Sequence, residues 1–169
     1  MTTAEKQVVD FDARQNALDI TRSIAVQAPA GSGKTELLSL RFLKLLAVCQ
    51  HPEEVLAITF TKKAANEMAQ RILNTLEWAQ QVDPIAIETQ LDRDKYEIAN
   101  SVLAQDAKES WQLQQSPNRL RIQTIDSFCN FLASRLPILS HFGGPLQISE
   151  QIDDCYHLAI RNCLKLLNE

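Results

Sequence analysis

Residues 28–35 read Ala28-Pro29-Ala30-Gly31-Ser32-Gly33-Lys34-Thr35. The apolar run Ile24-Ala25-Val26 leads in, and a leucine-rich helical pattern over 35–48 leads out. Strand, glycine-bearing loop and helix in that order are the context of a phosphate-binding P-loop. The residue types follow from the chemistry. Successive backbone N–H groups can surround a polyphosphate only where the chain bends tightly without side chains in the way. Gly31 and Gly33 permit that bend. The helix start beyond them aims unpaired N–H groups and a positive dipole end at the anion. Lys34 adds a full charge, and Thr35 adds a hydroxyl suited to Mg²⁺. Ala28 stands where the strict pattern has glycine.

Working outward, the strand 24–27 is followed by the helix 35–48 and then by Val55-Leu56-Ala57-Ile58-Thr59-Phe60. The unbroken apolarity of 55–60 suits a parallel strand buried on both faces. A helical stripe over 64–80 follows, so the order is β-loop-α-β-α, the beginning of a doubly wound sheet. Residues 82–118 differ in character. Asp83-Pro84 breaks the preceding helix, charge dominates near 92–97, and Tyr96, Ile98, Val102, Leu103 and Trp111 recur at helical spacing. This stretch reads as one or two amphipathic helices beside the sheet. Residues 120–124 alternate like a strand, and 125–136 follow as a helix with Asp126 as its N-cap. Pro137 stops that helix, and Gly143-Gly144-Pro145 marks a hinge or boundary. A last amphipathic helix covers 150–167. Upstream of the loop, 13–20 reads as a short helix carrying Gln15. The amide of Gln15 offers the acceptor and donors that match an adenine edge.

The chain has 169 residues, 45% of them apolar and 22% charged, which suits one domain with a real core. The net charge of −4 excludes a protein that is basic all over, so nucleic-acid contacts must be local. Cys49, Cys129, Cys155 and Cys163 have no C-x-x-C spacing and read as reduced thiols in a cytoplasmic protein. The apolar stretch 37–48 is short and contains Arg41 and Lys44, so no membrane span is expected.

Three blocks carry a resemblance. Thr59-Phe60-Thr61-Lys62-Lys63-Ala64-Ala65-Asn66-Glu67-Met68 resembles motif Ia of superfamily 1A DNA helicases. Thr124-Ile125-Asp126-Ser127-Phe128-Cys129 resembles their motif Ib, although many relatives carry histidine where this chain has Asp126. Residues 28–35 are similar to their motif I, where alanine at the first position is common. Gln15 falls where the family places its adenine-reading glutamine. The wording is most similar to the RecB/AddA (exonuclease V) branch of UvrD-type helicases.

The resemblance implies an α/β fold of RecA-like P-loop NTPase type, a parallel sheet flanked by helices, incomplete and with helical additions. It implies a partial domain 1A over 1–145 and the start of helical subdomain 1B over 146–169. It implies ATP and Mg²⁺ as cofactors. Gln15 and residues 28–35 would bind nucleotide, Lys34 and Thr35 would act on Mg-ATP, and Thr35 would be the Mg²⁺ ligand. Thr59, Phe60, Thr61, Lys62, Thr124 and Ser127 would contact single-stranded DNA. The implied activity is 3′–5′ translocation or unwinding in DNA repair or recombination. The implied partners are the remainder of a helicase chain, with a second RecA-like domain, and a second subunit of a helicase–nuclease complex. Hydrolysis also needs an acidic pair at a strand end, and motif II is missing, so these residues alone are expected to be inactive. Two alternatives compete: a compact P-loop kinase or small NTPase with Asp126 as Walker B carboxylate, and a non-catalytic truncated binding module.

Overall fold

The computed structural model describes residues 11–135 and 152–166. The chain divides into two compact units, residues 1–128 and 129–169. In the first unit, α1 (Phe11–Ala17) precedes α2 (Lys34–Leu46), β1 (Leu56–Thr59), α3 (Lys62–Gln81), α4 (Gln90–Glu109) and β2 (Arg121–Thr124). Helix α5 (Ile125–Arg135) begins directly after β2 and runs into the second unit, which also holds α6 (Asp153–Leu166).

Local chemistry sets the helix starts. Thr61 caps α3 by accepting the Ala64 N–H at 3.1 Å. Thr89 caps α4 by accepting the Asp92 N–H at 3.1 Å, while its hydroxyl donates to the Asp92 carboxylate at 2.6 Å. Ser110, in the left-handed region with φ 55°, ends α4. The charged 82–118 stretch therefore holds one long helix.

Helices α2, α3 and α4 pack on one another, and α3 also covers the sheet. Leu43, Leu46, Ile72, Leu76, Val102 and Leu113 are fully buried where these helices meet. The segment after α4 folds back onto the exit of α2. Trp111 Nε1 donates to the Gln50 carbonyl at 3.0 Å, and Gln105 Nε2 donates to that of Cys49 at 2.8 Å. Arg119 grips both carboxylate oxygens of Glu53 at 2.7 and 3.2 Å. Burial pushes the Cys49 thiol up, which keeps it protonated.

Strands β1 and β2 are parallel, with Leu56 opposite Arg121, Ala57 opposite Ile122, Ile58 opposite Gln123 and Thr59 opposite Thr124. Several expectations change. Residues 24–27 form no ladder among the described residues, whose sheet is β1 and β2. An apolar run becomes a strand only where a neighbour supplies hydrogen-bond partners. Nor is β1 covered on both faces, since Leu56 and Ile58 are exposed. Third, Asp126 is not the cap of α5. It lies in the first helical turn, and Thr124 accepts the Ser127 N–H at 3.2 Å instead. The early helix runs over Phe11–Ala17 rather than 13–20. The hinge at 143–145 and the helix stop at Pro137 lie outside the described residues.

Candidate functional site

Residues 28–33 form the turn that enters α2. Gly31 and Gly33 have φ 78° and 82°, in the left-handed region where a side chain is strained. Gly33 is also crowded, because a Cβ there would meet Nη1 of Arg14 at 3.1 Å. The helix opens at once, with Leu37 N–H donating to the Gly33 carbonyl at 3.0 Å. Lys34 folds back over the turn, its Nζ donating to the Ala28 carbonyl at 2.6 Å and to that of Pro29. Arg14, from α1, donates from Nη2 to the Ser32 carbonyl at 2.7 Å. A cavity of about 250 Å³ opens here, lined by Arg14, Val26, Ser32, Lys34 and Leu37 among others. Among the described residues, two cations and no carboxylate line it, and that lining suits an anion. Ser32 Oγ is buried without a hydrogen-bond partner, a polar atom left for a bound group to satisfy. Thr35 stands exposed in the first turn of α2.

Gln15 does not line that cavity. Its Nε2 donates to Asp94 Oδ2 on α4, while its neighbour Arg14 reaches the loop. The loop linking α1 to residue 24 is clamped by Arg41 of α2. Its guanidinium donates to the carbonyls of Ala17, Asp19 and Arg22 at 2.7, 2.8 and 2.7 Å. Sequence reasoning missed both Arg14 and Asp94. Only the position of Arg14 next to Gln15 was a signal, and Asp94 lay unmarked in a charged run.

The second candidate surface lies at the carboxyl ends of the strands, where open α/β sheets bind ligands. Thr59 and Thr124 pair there, so 59–62 and 124–127 lie side by side. Phe60 is 88% exposed, so its ring lies outside the core formed by the described residues. Thr61 and Lys62 are exposed, and Thr59 is half-buried. Thr124 is buried, its Oγ1 2.9 Å from the hydroxyl of Ser127.

The UvrD/REP helicase N-terminal domain family matches residues 9–168. The chain belongs to this family. An ATP-dependent helicase/nuclease subunit of Lactobacillus gasseri is 33% identical over 111 residues, 66% of this chain and 8% of the relative. The ATP-dependent DNA helicase Rep of Buchnera aphidicola subsp. Baizongia pistaciae is 48% identical over 52 residues, 30% of this chain and 8% of the relative. The ATP-dependent DNA helicase SRS2 of Saccharomyces cerevisiae is 42% identical over 62 residues, 36% of this chain and 5% of the relative. The matched stretches thus span 5–8% of the length of these relatives. No solved structure matches the chain significantly. Membership in a helicase family displaces the small-kinase alternative and its Walker B role for Asp126. Among the described residues, no helix is long and apolar enough to cross a membrane.

Proposed function

We propose that this UvrD/REP N-terminal chain is the ATP-binding part of a RecA-like motor that moves 3′–5′ along single-stranded DNA in repair or recombination. The observation that carries the reading is the 28–35 turn: two left-handed glycines opening straight into α2, with Lys34 folded over the turn beside a cavity. Backbone N–H groups of 31–35 and the Lys34 ammonium would hold the β- and γ-phosphates of ATP. Thr35 would take one position on Mg²⁺. Phosphate oxygens and water would fill further positions on the ion. When bound, Mg-ATP supplies the phosphoryl group whose hydrolysis drives movement.

Single-stranded DNA would cross the carboxyl ends of β1 and β2. The Phe60 ring would stack on a base, and Thr59, Thr61, Lys62 and Ser127 would meet phosphates. Thr124 contributes by capping α5 rather than as an open donor. A second RecA-like domain would complete the motor, the similarity to helicase/nuclease subunits supports a second subunit, and the assembly would work in the cytoplasm. The exposed apolar side chains Ile24, Val26, Leu56 and Ile58 support burial against further chain. In this reading residues 1–145 belong to domain 1A and 146–169 open subdomain 1B.

Fluorescence titration with a labelled ATP tests the site. Lys34→Ala removes a charge-assisted contact of about 1.5–3 kcal/mol, so affinity falls roughly tenfold or more. Unchanged affinity overturns the assignment. The 169 residues alone are expected to show no DNA-stimulated hydrolysis, and robust turnover would contradict that.

A further inference from the structure

We infer that Arg14, on α1, is a positioning residue: its bond to the Ser32 carbonyl holds the Ser32–Gly33 peptide in the orientation that offers the Gly33 N–H to a bound phosphate. The inference rests on the proposed reading that the 28–35 turn grips the phosphates of a nucleotide.

Gly33 is left-handed, with φ 82° and ψ 16°, and Lys34 begins the right-handed α2. A left-handed residue followed by a right-handed one turns successive N–H groups toward one point, an anion-binding nest. Here those groups belong to Gly33, Lys34 and Thr35. The nest exists only while φ of Gly33 is positive. A flip of the Ser32–Gly33 peptide carries φ across zero and turns the Gly33 N–H out of the nest. The flipped backbone, with negative φ and ψ near zero, is sterically allowed. Glycine takes either sign of φ about equally well, so the residue itself does not choose.

The peptides on either side are held by the backbone. Ser32 N–H donates to the Pro29 carbonyl at 3.4 Å, and the Gly33 carbonyl accepts the Leu37 N–H at 3.0 Å. The Ser32 carbonyl between them is held by a side chain, Arg14 Nη2, at 2.7 Å. A trans peptide sets its N–H opposite its carbonyl. With the carbonyl drawn toward α1, the Gly33 N–H faces the other way, and no acceptor among the described residues takes it. Arg14 is itself anchored, because Arg41 of α2 clamps the Ala17 and Asp19 carbonyls at the end of α1. A cation outside all three motif blocks thus sets the sense of the nest.

The test uses the 169-residue chain with isotope-labelled glycine, which marks Gly31, Gly33, Gly143 and Gly144. The peak that Gly33→Ala removes belongs to Gly33. Couplings of its amide proton to its two α protons report the sign of φ, which is expected to be positive in the free wild type. Arg14→Met keeps a long side chain that cannot donate. Arg14→Gln stays polar but falls short of the Ser32 carbonyl, and it carries the test if the Met variant does not fold. In both, φ of Gly33 is expected to average over the two signs without ligand and to return to positive with saturating Mg-ATP. With a competent fraction between about a tenth and a half, the Kd for Mg-ATP rises roughly two- to tenfold, by the factor that the couplings give. A Cβ at position 33 favours negative φ by itself. Adding Arg14→Met to Gly33→Ala should therefore cost no further affinity.

A φ that is negative in the free wild type, or that stays positive in the free Arg14 variants, overturns the inference and leaves the phosphate role of the turn standing. So does a change of sign with unaltered affinity, or a full further loss when Arg14→Met joins Gly33→Ala. A wild type whose Gly33 amide ignores saturating Mg-ATP removes the reading of the turn, and the inference with it. The Lys34→Ala titration decides that reading independently.

Discussion

Thr59 and Thr124 face each other at the carboxyl ends of two parallel strands. The segments that follow them, 60–62 and 125–127, are far apart in the chain yet emerge from one sheet edge. In the proposed reading they form one surface for a nucleic-acid strand, with Phe60 as its most exposed large apolar side chain.

Phe60→Ala is expected to weaken binding of a single-stranded oligonucleotide by about 1–3 kcal/mol, the contribution of one stacked base. Because the ring is 88% exposed, the melting temperature should stay unchanged. Fluorescence anisotropy and thermal melting check the two halves. A drop in stability with unaltered DNA affinity would contradict the stacking role.

Gly31→Ala and Gly33→Ala are expected to differ. Both place a side chain in the left-handed region, at about 1–2 kcal/mol. At Gly31 the new methyl meets open space, whereas at Gly33 it meets the Arg14 guanidinium at 3.1 Å. The Gly33 variant should therefore lose more stability and more nucleotide affinity. Adding Arg14→Ala should recover part of the stability difference, as read by denaturant unfolding of the single and double variants.

Arg119→Ala is expected to lower stability by about 1 kcal/mol near neutral pH through loss of the two-pronged grip on Glu53. The Arg119 hydrogen bond holds the Glu53 carboxyl below its ordinary value of 4.5. Its folded pKa is depressed, so the contribution is present above that ordinary value and disappears as pH falls through the lower folded value. The gap between wild type and variant should thus narrow on acidification. Melting at a series of pH values checks this, and a gap that widens in acid would refute it.

Much of the architecture was legible because its determinants are local. Thr61 announces its helix, and the stripe Ala65, Ile72, Leu76 fixes the inner face of α3. The glycines at 31 and 33 declare a turn that few other residues tolerate. Where the pattern misled, the deciding partner was distant or absent. Residues 24–27 have the apolarity of a strand, but a ladder needs a neighbour that local sequence does not supply. Asp126 has the right chemistry for a cap, yet Thr124 stands where the cap belongs. The reach of Arg14 to Ser32 and the meeting of Gln15 with Asp94, 79 residues away, depend on how α1 and α4 are set around α2. No periodicity encodes such contacts.

The carbonyls of Cys49 and Gln50, at the exit of α2, are both satisfied by side chains from the 82–118 stretch and its return loop. That stretch is consequently a supporting wall and not a removable ornament. Excising it would strip the greasy flank of α2 and α3 bare and orphan two peptide oxygens at one corner. A shortened chain of this kind would aggregate before its binding could be measured, so reagents meant to leave the scaffold intact belong on the outward edge of α4, at positions such as Ser101.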